Sequence, residues 1–247
     1  MVRPTHDELA LSFDAAAEVY ARARPSYPEQ ALDWLLAADA RAVLDLGAGT
    51  GKLTAQLVER GLEVTAVEPS DRMRAELEAA LGDRVTALAG RAEAIPLPDA
   101  SVDTVLVAQA WHWVDPARAI PEVARVLRPG GRLGLVWNRR DERVGWVAEL
   151  GRILLQSDGG ADAASPHLGQ PFGPHERFDT ERWMQTLSPD GVVELAASRS
   201  YVITLDDAAR AQLLDRVRAL LQRRGLAGRT EIALPYVTEC VRADLPA

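Results

Sequence analysis

Short apolar runs alternate with longer amphipathic segments through the middle of the chain. The apolar runs have the length of buried strands and lie at 42–46, 63–67, 84–88, 102–107 and 132–137. The segments between them repeat apolar residues at helical spacing. Strands that alternate with helices are typical of a parallel sheet covered by helices on both faces. The pattern therefore predicts an α/β fold from residue 41 to residue 137.

Turn and capping residues mark where these elements begin and end. Gly61 ends the first helix, and Ser70 caps the start of the second with Asp71 in its first turn. Asp115-Pro116 opens a third helix by the same logic. Pro129-Gly130-Gly131 ends the turn that follows it, ahead of the last strand. The local signals thus agree with the apolar pattern.

The regions on either side have a weaker pattern. Residues 13–36 are predicted to form helical segments broken at Pro25 and Pro28. Behind the core, the pattern predicts a helix over 144–155, a loop over 157–174, a strand over 178–187, a helix capped by Ser188, a helix over 206–224 and a closing strand over 232–241.

Composition limits the class of protein. The 247 residues are 47% apolar, which suffices for one domain with a full core. A net charge of −8 argues against a nucleic-acid surface, which needs a basic face. The single cysteine, Cys240, excludes an internal disulfide and, with an N-terminus unlike a signal peptide, predicts a cytoplasmic location. We expect no membrane span and no metal site, because no apolar run is long enough and four scattered histidines form no cluster.

The first predicted strand runs directly into a glycine-rich turn. Val43-Leu44-Asp45-Leu46 is followed by Gly47-Ala48-Gly49-Thr50-Gly51, where a helix is expected to begin. Only glycine lets a backbone turn this sharply and pass close to a ligand, and the N–H groups of the helix start would face that ligand. Glu68 ends the second strand 21 residues after Gly47. Nucleotide-binding folds place an acid there, against ribose hydroxyls.

Asp45 discriminates between the candidate ligands of this turn by its charge. A dinucleotide would bring a pyrophosphate, which a neighbouring carboxylate repels. S-Adenosylmethionine has no phosphate and carries an ammonium and a sulfonium, which a carboxylate attracts. The third glycine of the dinucleotide pattern is also absent, because Lys52 occupies its position. The sequence therefore favours S-adenosylmethionine over NAD, and the remaining alternative is a tight turn with no ligand.

These motifs resemble those of the class I S-adenosylmethionine-dependent methyltransferases, most closely the branch with trans-aconitate methyltransferase and the ubiquinone and menaquinone C-methyltransferases. The matching segments are Asp45–Gly51, Val67–Ser70, Gly90–Pro98, Gln109–Trp113, Leu127–Leu133 and Tyr20–Pro28. The resemblance covers about residues 10–140. It implies a doubly wound, Rossmann-like, mostly parallel seven-stranded sheet with an antiparallel edge hairpin.

The resemblance also implies one domain in three parts. Residues 1–40 would form an N-terminal helical lid, 41–137 the cofactor-binding core, and 138–247 the substrate-side helices and closing strands. The candidate cofactor-binding residues are Tyr20, Arg24, Asp45, Gly47, Ala48, Gly49, Gly51, Glu68, Met73, Ala92, Glu93 and Gln109.

Several of these residues have a specific expected role. Asp45 would bind the ammonium of the cofactor, Glu68 the ribose hydroxyls, and Met73 would pack on the adenine. In the lid, Arg24 would bind the carboxylate of the methionine part, as a guanidinium fork suits. Many relatives have an acid for the adenine amino group where this chain has Arg91, and Glu93 is the candidate substitute.

Candidate substrate residues follow the fourth strand, at the carboxyl edge where open α/β sheets bind ligands. Trp111 and Trp113 could wall the substrate, or they could pack a loop. His112 is a candidate general base, or else an exposed structural residue. Arg139 and Arg140 would suit a carboxylate acceptor, although a solvated loop is the commoner role of such residues.

The sequence thus predicts a methyltransferase that moves the methyl group of S-adenosylmethionine to a small-molecule acceptor, as a monomer or homodimer. One alternative is an NAD-dependent oxidoreductase, which Asp45 disfavours. The other is a non-catalytic S-adenosylmethionine-binding protein, because no residue marks an unambiguous catalytic base.

Overall fold

The computed structural model describes residues 24–155 and 168–247. Tyr20 and most of the predicted lid lie outside these residues, as does most of the predicted loop at 157–174. The chain divides into two compact units. Among the described residues, the core unit comprises 26–138, 168–180 and 238–247, and the second unit comprises 24–25, 139–155 and 181–237.

The described residues form eight strands and eight α-helices. The strands are β1 (Ala42–Leu46), β2 (Glu63–Val67), β3 (Thr86–Leu88), β4 (Val102–Ala108), β5 (Leu127–Arg140), β6 (Glu176–Asp179), β7 (Trp183–Leu187) and β8 (Ile232–Asp244). The helices are α1 (Glu29–Leu35), α2 (Lys52–Glu59), α3 (Asp71–Leu81), α4 (Pro116–Val126), α5 (Gly145–Leu155), α6 (Pro189–Ala197), α7 (Ser200–Ile203) and α8 (Asp207–Arg223). Short 3₁₀ helices lie at Gly82–Arg84 and Trp111–Trp113.

The core unit contains a mostly parallel sheet in the order β3-β2-β1-β4-β5-β8-β6. β1 pairs in parallel with β2 and β4, β2 with β3, and β4 with β5. β6 pairs antiparallel with β8. β8 is also antiparallel to β5, since Gly130 N donates to Pro246 O (3.3 Å) and Leu245 N to Gly131 O (2.7 Å). The predicted α/β fold, with an antiparallel edge on a parallel sheet, is confirmed.

Both faces of this sheet are buried. Successive residues of each central strand point to opposite faces, so chain neighbours pack in different apolar clusters. Val43 of β1 and Leu106 of β4 contribute to the apolar cluster on one face, which includes Leu53 of α2. Their chain neighbours Leu44 and Val105 contribute to the cluster on the other face. Continuous apolar runs are what a parallel sheet covered on both sides requires.

The second unit has an apolar core of its own. Helices α5, α6 and α8 contribute the fully buried side chains of Val147, Val192 and Val217 to one cluster. β7 pairs antiparallel with the first part of β8, and this places Trp183 opposite Tyr236. The predicted helices at 144–155 and 206–224 are therefore present, within one or two residues of the expected bounds.

The predicted helix caps are confirmed by their hydrogen bonds. The Ser70 hydroxyl accepts from Met73 N (3.2 Å), and the Asp115 carboxylate accepts from Ala117 N (3.0 Å). In the second unit, the Ser188 hydroxyl accepts from Gly191 N (3.0 Å). Each cap satisfies an N–H group that the first turn of a helix leaves without an intrahelical partner.

Two strands differ from the sequence prediction. The single strand expected over 178–187 is two short strands, so the sheet has eight strands where the resemblance implied seven. Asp179 is opposite Glu239 and Trp183 opposite Tyr236, which leaves three residues facing two, and this extra residue breaks the ladder. β5 begins at Leu127, earlier than expected, because Leu127 already pairs with Val102 of β4. A bulge follows this pair, and regular pairing resumes at Thr104 and Arg132.

We expect Leu106→Ala to lower the free energy of unfolding by about 2–5 kcal/mol, because it leaves a cavity in the fully buried centre of β4. Urea unfolding followed by circular dichroism measures this loss. Met184→Ala is the control, since the Met184 side chain is 52% exposed, and we expect it to change stability by less than about 0.5 kcal/mol. Equal losses in the two variants would contradict the burial of the central strand.

Candidate functional site

The glycine-rich turn lies between β1 and α2, at the carboxyl edge of the parallel strands. Gly47, Gly49 and Gly51 have φ values of +75°, +57° and +83°, in the left-handed region that favours glycine. Open α/β sheets bind their ligands at this edge. The backbone conformation therefore matches the sequence prediction of a sharp strand-to-helix turn.

The three glycines differ in the space around them. A Cβ atom on Gly47 would lie 2.9 Å from the Cβ of Ala110, and one on Gly51 would lie 2.9 Å from Cγ of the buried Leu77. A Cβ on Gly49 would meet only the Met73 Sδ atom, at 3.9 Å. Gly47 and Gly51 are thus required for packing, whereas the side of Gly49 is open to a ligand.

Glu68 holds this turn in place. Its carboxylate, 6% exposed, accepts a hydrogen bond from Gly49 N through Oε2 (2.8 Å) and one from Ser70 N through Oε1 (2.9 Å). The turn is further fixed to β2 because Gly47 N and Ala48 N both donate to Val67 O, at 2.8 and 3.2 Å. An ionised carboxylate has about four acceptor positions, so one such group can hold several donors at once.

Asp45 is fully buried beside the turn. Its Oδ2 atom accepts a hydrogen bond from the Thr54 hydroxyl (2.6 Å), while Oδ1 has no donor among the described residues. Burial raises the pKa of Asp45 from its ordinary value to about 7; the Thr54 hydrogen bond opposes this rise and the nearby Glu68 charge adds to it. A cationic group that reached Oδ1 would stabilise the ionised carboxylate, whereas an anion would be repelled.

Thr54 is a site residue that sequence reasoning missed. It lies on α2, nine residues after Asp45, and is fully buried. A threonine on the apolar face of a helix that packs on a strand with a buried acid is the signal that could have identified it, because a buried carboxylate requires a donor.

Met73 lies beside the glycine turn, as the resemblance implied. It belongs to the first turn of α3, its side chain is buried, and its sulfur atom faces the open side of Gly49. The Ser70 cap positions this turn of the helix, because its hydroxyl accepts from the Met73 backbone. The thioether therefore borders the space that remains free for a ligand.

The loop after β3 places two further candidates. Ala92 is buried within the main core cluster. Glu93 has a role in the fold, since its Oε1 atom accepts a hydrogen bond from Asp115 N at 2.9 Å and so ties this loop to the start of α4. Glu93 as a contact for the adenine amino group remains a prediction, and it would have to coexist with this bond.

Gln109 directly follows β4 in an unusual conformation. Its φ is +58°, one of two positive φ values at non-glycine residues in the described chain. Its amide donates to Asn138 O (3.4 Å). A left-handed backbone at a residue that is not glycine is strained, and such strain clusters at functional sites. Gln109 therefore stays a candidate ligand contact.

The three aromatic residues after Gln109 have different surroundings. Trp111 is buried and belongs to the main core cluster, so its indole packs the fold. His112 is exposed and Trp113 is half-buried, with their ring centroids 4.6 Å apart. Of the two predicted substrate tryptophans, Trp113 thus retains surface for a ligand. His112 as a general base remains a prediction.

Arg24 belongs to the second unit. Its guanidinium donates to Ser198 O (3.0 Å), at the end of α6. The predicted contact with a methionine carboxylate remains a prediction. Tyr20, the other predicted lid residue, lies outside the described residues.

The described residues contain neither a candidate metal site nor a candidate membrane-spanning helix. No group of three or more His, Cys, Asp or Glu side chains between 24 and 155 or between 168 and 247 could hold a metal ion. Over the same residues, no helix has the length and apolar character needed to cross a membrane.

Comparison with known proteins gives the family. A family model described as a methyltransferase domain matches residues 44–135, which include the glycine turn, Glu68 and the aromatic loop. An uncharacterised methyltransferase of Mycobacterium tuberculosis is 60% identical over 239 residues, spanning 96% of this chain and 97% of the relative. The chain belongs to the methyltransferase family. The finer resemblance to the trans-aconitate and ubiquinone branch is not tested by these matches.

Solved structures agree with this methyltransferase fold. A protein from Anaeromyxobacter dehalogenans, provisionally assigned to the type II methyltransferases, superposes with a TM-score of 0.65 at 29% identity and covers 91% of this chain and 99% of its own. A Haemonchus contortus phosphoethanolamine N-methyltransferase, solved with phosphomonomethylethanolamine and S-adenosylhomocysteine, has a TM-score of 0.54 at 16% identity, over 98% of this chain and 58% of its own. The second likeness shows the fold alone.

Substitution by alanine should lower the free energy of unfolding by different amounts at the three glycines of the turn. Gly49→Ala should lower the free energy of unfolding by about 1–2 kcal/mol, the cost of a left-handed conformation at a residue with a Cβ. Gly47→Ala and Gly51→Ala should lose about 1–3 kcal/mol more, because the new methyl group also overlaps Ala110 or Leu77. Urea unfolding of the three variants measures the difference. Equal losses would refute the assignment of the open side to Gly49.

Asp45 should make stability depend on pH. Its pKa is about 7 when folded, against an ordinary value of 3.8 for the exposed group. The folded protein therefore retains a proton that the unfolded chain has released, and the stability that this proton contributes is lost as pH rises from about 4 to about 7. Asp45→Asn removes this loss, so its stability relative to wild type should increase by a few kcal/mol between pH 5 and pH 8.

Unfolding by urea at several pH values, with wild type and variant compared at each, measures the effect. Glu122→Gln is a control at another carboxylate, whose pKa the Arg125 guanidinium lowers to about 2 and which is ionised throughout this range. A difference between Asp45→Asn and wild type that is the same at pH 5 and pH 8 would show that Asp45 does not take up this proton.

Proposed function

We propose that this methyltransferase binds S-adenosylmethionine at the glycine turn and transfers its methyl group to a small-molecule acceptor. The observation that carries the proposal is the buried Asp45 carboxylate, whose second oxygen lacks a donor among the described residues, directly beside a turn that is open at Gly49. This electrostatic environment suits a cationic cofactor without phosphates and disfavours a dinucleotide.

The residues of the turn fit the parts of such a cofactor. Asp45 Oδ1 would accept from the ammonium, directly or through water, and the Glu68 carboxylate would accept from the ribose hydroxyls. The open side of Gly49 admits the cofactor next to the backbone, and the Met73 thioether offers an apolar, polarisable surface to the adenine. When bound, the cofactor supplies a methyl group that its sulfonium activates for displacement.

The contribution of the chain to such a reaction is alignment and exclusion of water. Trp113 is the aromatic candidate for positioning the acceptor, since Trp111 is used by the core. An acceptor that is already a nucleophile, such as a carboxylate, needs no base. A phenol, an amine or an acidic carbon would need one, and His112 is then the candidate.

Binding and turnover together test the proposal. Isothermal titration of the wild type with S-adenosylhomocysteine should give a clear affinity, while NAD should give none. Gly49→Val should abolish binding, because a branched side chain would fill the open side of the turn. Gly61→Val is the matched control, since Gly61 also has a positive φ (+76°) and open space around it but follows α2 at its far end.

The outcomes separate the three candidate functions. Binding of S-adenosylhomocysteine, loss of binding in Gly49→Val alone, and transfer of labelled methyl to any member of an acceptor panel support the proposal. Binding of NAD, with no binding of S-adenosylhomocysteine, would identify an oxidoreductase. Tight cofactor binding without methyl transfer to carboxylates, phenols, amines or thiols would identify a non-catalytic binding protein.

A further inference from the structure

Thr54 is a polar residue in an apolar part of the core unit. It is the third residue of α2 and is fully buried, next to Leu53, whose side chain belongs to the apolar cluster on that face of the sheet. A buried hydroxyl costs free energy unless it is hydrogen-bonded, whereas a valine would fill the same space without this cost. The hydroxyl donates to the Asp45 carboxylate on β1. The presence of a threonine here is therefore explained by Asp45, not by packing.

The length of this bond matches a bond to an ionised carboxylate. Thr54 Oγ1 lies 2.6 Å from Asp45 Oδ2. Hydroxyl donors approach a charged carboxylate to about 2.5–2.7 Å, whereas a neutral oxygen acceptor typically lies at about 2.7–2.8 Å. The geometry thus corresponds to a charge-assisted hydrogen bond, which favours the ionised form of Asp45 over the neutral form.

The same bond determines how the carboxylate is oriented. The terminal torsion of an aspartate side chain has a broad, twofold preference, so an unrestrained carboxylate turns readily. Because Thr54 binds Oδ2, the second oxygen of Asp45, Oδ1, is the one that has no donor among the residues the structure describes. A donor from outside the chain would therefore meet Asp45 at Oδ1.

The other surroundings of Asp45 oppose its ionisation. On the neighbouring strands its partners in register are the apolar residues Ala66 of β2 and Leu106 of β4. Glu68, one residue beyond the end of β2, adds a negative charge nearby. Lys52, at the start of α2, is two positions before the threonine, and residues with this spacing do not share a face of a helix. The threonine hydroxyl therefore supplies a hydrogen bond that offsets these effects in part.

The hydrogen bond keeps the charge of Asp45 in balance near neutral pH. Burial raises the pKa of Asp45 to about 7, and the Thr54 hydrogen bond opposes that rise. Without the bond, the pKa would be higher, and the neutral form of Asp45 would prevail at neutral pH. The hydroxyl of Thr54 thus controls the charge of a carboxylate beside the glycine turn.

We propose that Thr54 is a positioning residue for cofactor binding, which holds Asp45 ionised and presents its Oδ1 atom to the ammonium of S-adenosylmethionine. This inference rests on the proposed function and adds a pH dependence to it. When the ammonium binds at acidic pH, the proton of Asp45 leaves for the solvent, so the affinity falls as pH decreases through the pKa of Asp45. Thr54, Asp45 and Glu68 all belong to the core unit.

Isothermal titration of the full-length wild type at pH 6, 7 and 8 tests this dependence. Binding of S-adenosylhomocysteine should weaken about tenfold from pH 8 to pH 6, as expected for release of one proton from a group with a pKa of about 7. 5′-Methylthioadenosine keeps the adenosine and the thioether but has no ammonium. Its affinity should change by less than about twofold over this range.

Variants assign the effect to the hydroxyl. Thr54→Val fills the same volume without a donor and should weaken binding of S-adenosylhomocysteine about tenfold at pH 6, and less at pH 8, because the full difference in pKa acts only where Asp45 is protonated in both proteins. Thr54→Ser keeps the hydroxyl and should retain the pH profile of the wild type. Thr104→Val is the matched control, since Thr104 of β4 is also fully buried but its hydroxyl has no hydrogen-bond partner among the described residues.

Urea unfolding of the ligand-free proteins gives a second readout. In the wild type, the decrease in stability with rising pH should end near pH 7. In Thr54→Val it should continue to about pH 8, because the folded chain keeps the proton of Asp45 to a higher pH. Thr54→Ala also removes the donor, so it covers the case in which Thr54→Val fails to fold, and it should show the same extension.

Two results would overturn the inference. One is a loss of S-adenosylhomocysteine affinity in Thr54→Val that is absent, equal at pH 6 and pH 8, or equal for 5′-methylthioadenosine, as a purely structural role predicts. The other is a profile of stability against pH that is the same in the wild type, Thr54→Val and Thr54→Ala. Absence of S-adenosylhomocysteine binding in the wild type would instead refute the proposed function, and the stability profiles would still test whether Thr54 controls the charge of Asp45.

Discussion

The hydrogen bond from Gly49 N to the Glu68 carboxylate is the interaction on which the site depends. The turn has left-handed glycine conformations at three alternate residues, and such a backbone has no repeating hydrogen bonds of its own. Glu68, at the end of the neighbouring strand, supplies the missing acceptor and fixes the distance between the turn and β2. The same carboxylate also accepts from Ser70 N, where α3 begins. One side chain thus sets the position of two helix starts and of the space between them.

Much of the fold could be predicted because local signals and the apolar pattern agree. The cap residues Ser70, Asp115 and Ser188 each act on the first turn that follows them, so sequence proximity is sufficient. The strand predicted over 178–187 could not be divided in advance. Its break at 180–182 depends on how many residues of β8 face it, and β8 is some fifty residues away. Pairing register is a property of two strands, and one strand does not reveal it.

In the candidate site, too, contacts between residues close in sequence could be predicted and contacts between distant residues could not. Asp45, Glu68 and the turn glycines lie within one βαβ unit, and the sequence places them together. Trp111 and Glu93 have contacts within the fold that a motif does not reveal, since Trp111 packs in the main core cluster and Glu93 accepts from Asp115 N at the start of α4. Long-range contacts show no local pattern at all: the Trp183 ring stacks on that of Tyr236, 53 positions further along the chain, because β7 and β8 pair.

The amino-acid composition gives the glycine turn an unusual chemical property. Lys52 is the single lysine among 28 basic residues, and it is the first residue of α2, directly after Gly51. Partial burial lowers the pKa of its amine, which increases the fraction of the uncharged, nucleophilic form. Acylating reagents that discriminate between lysine and arginine therefore have one side-chain target in the whole sequence. Acylation at Lys52, located by peptide mapping so that it is distinguished from acylation of the α-amine, would report on the accessibility of the turn without any engineered label.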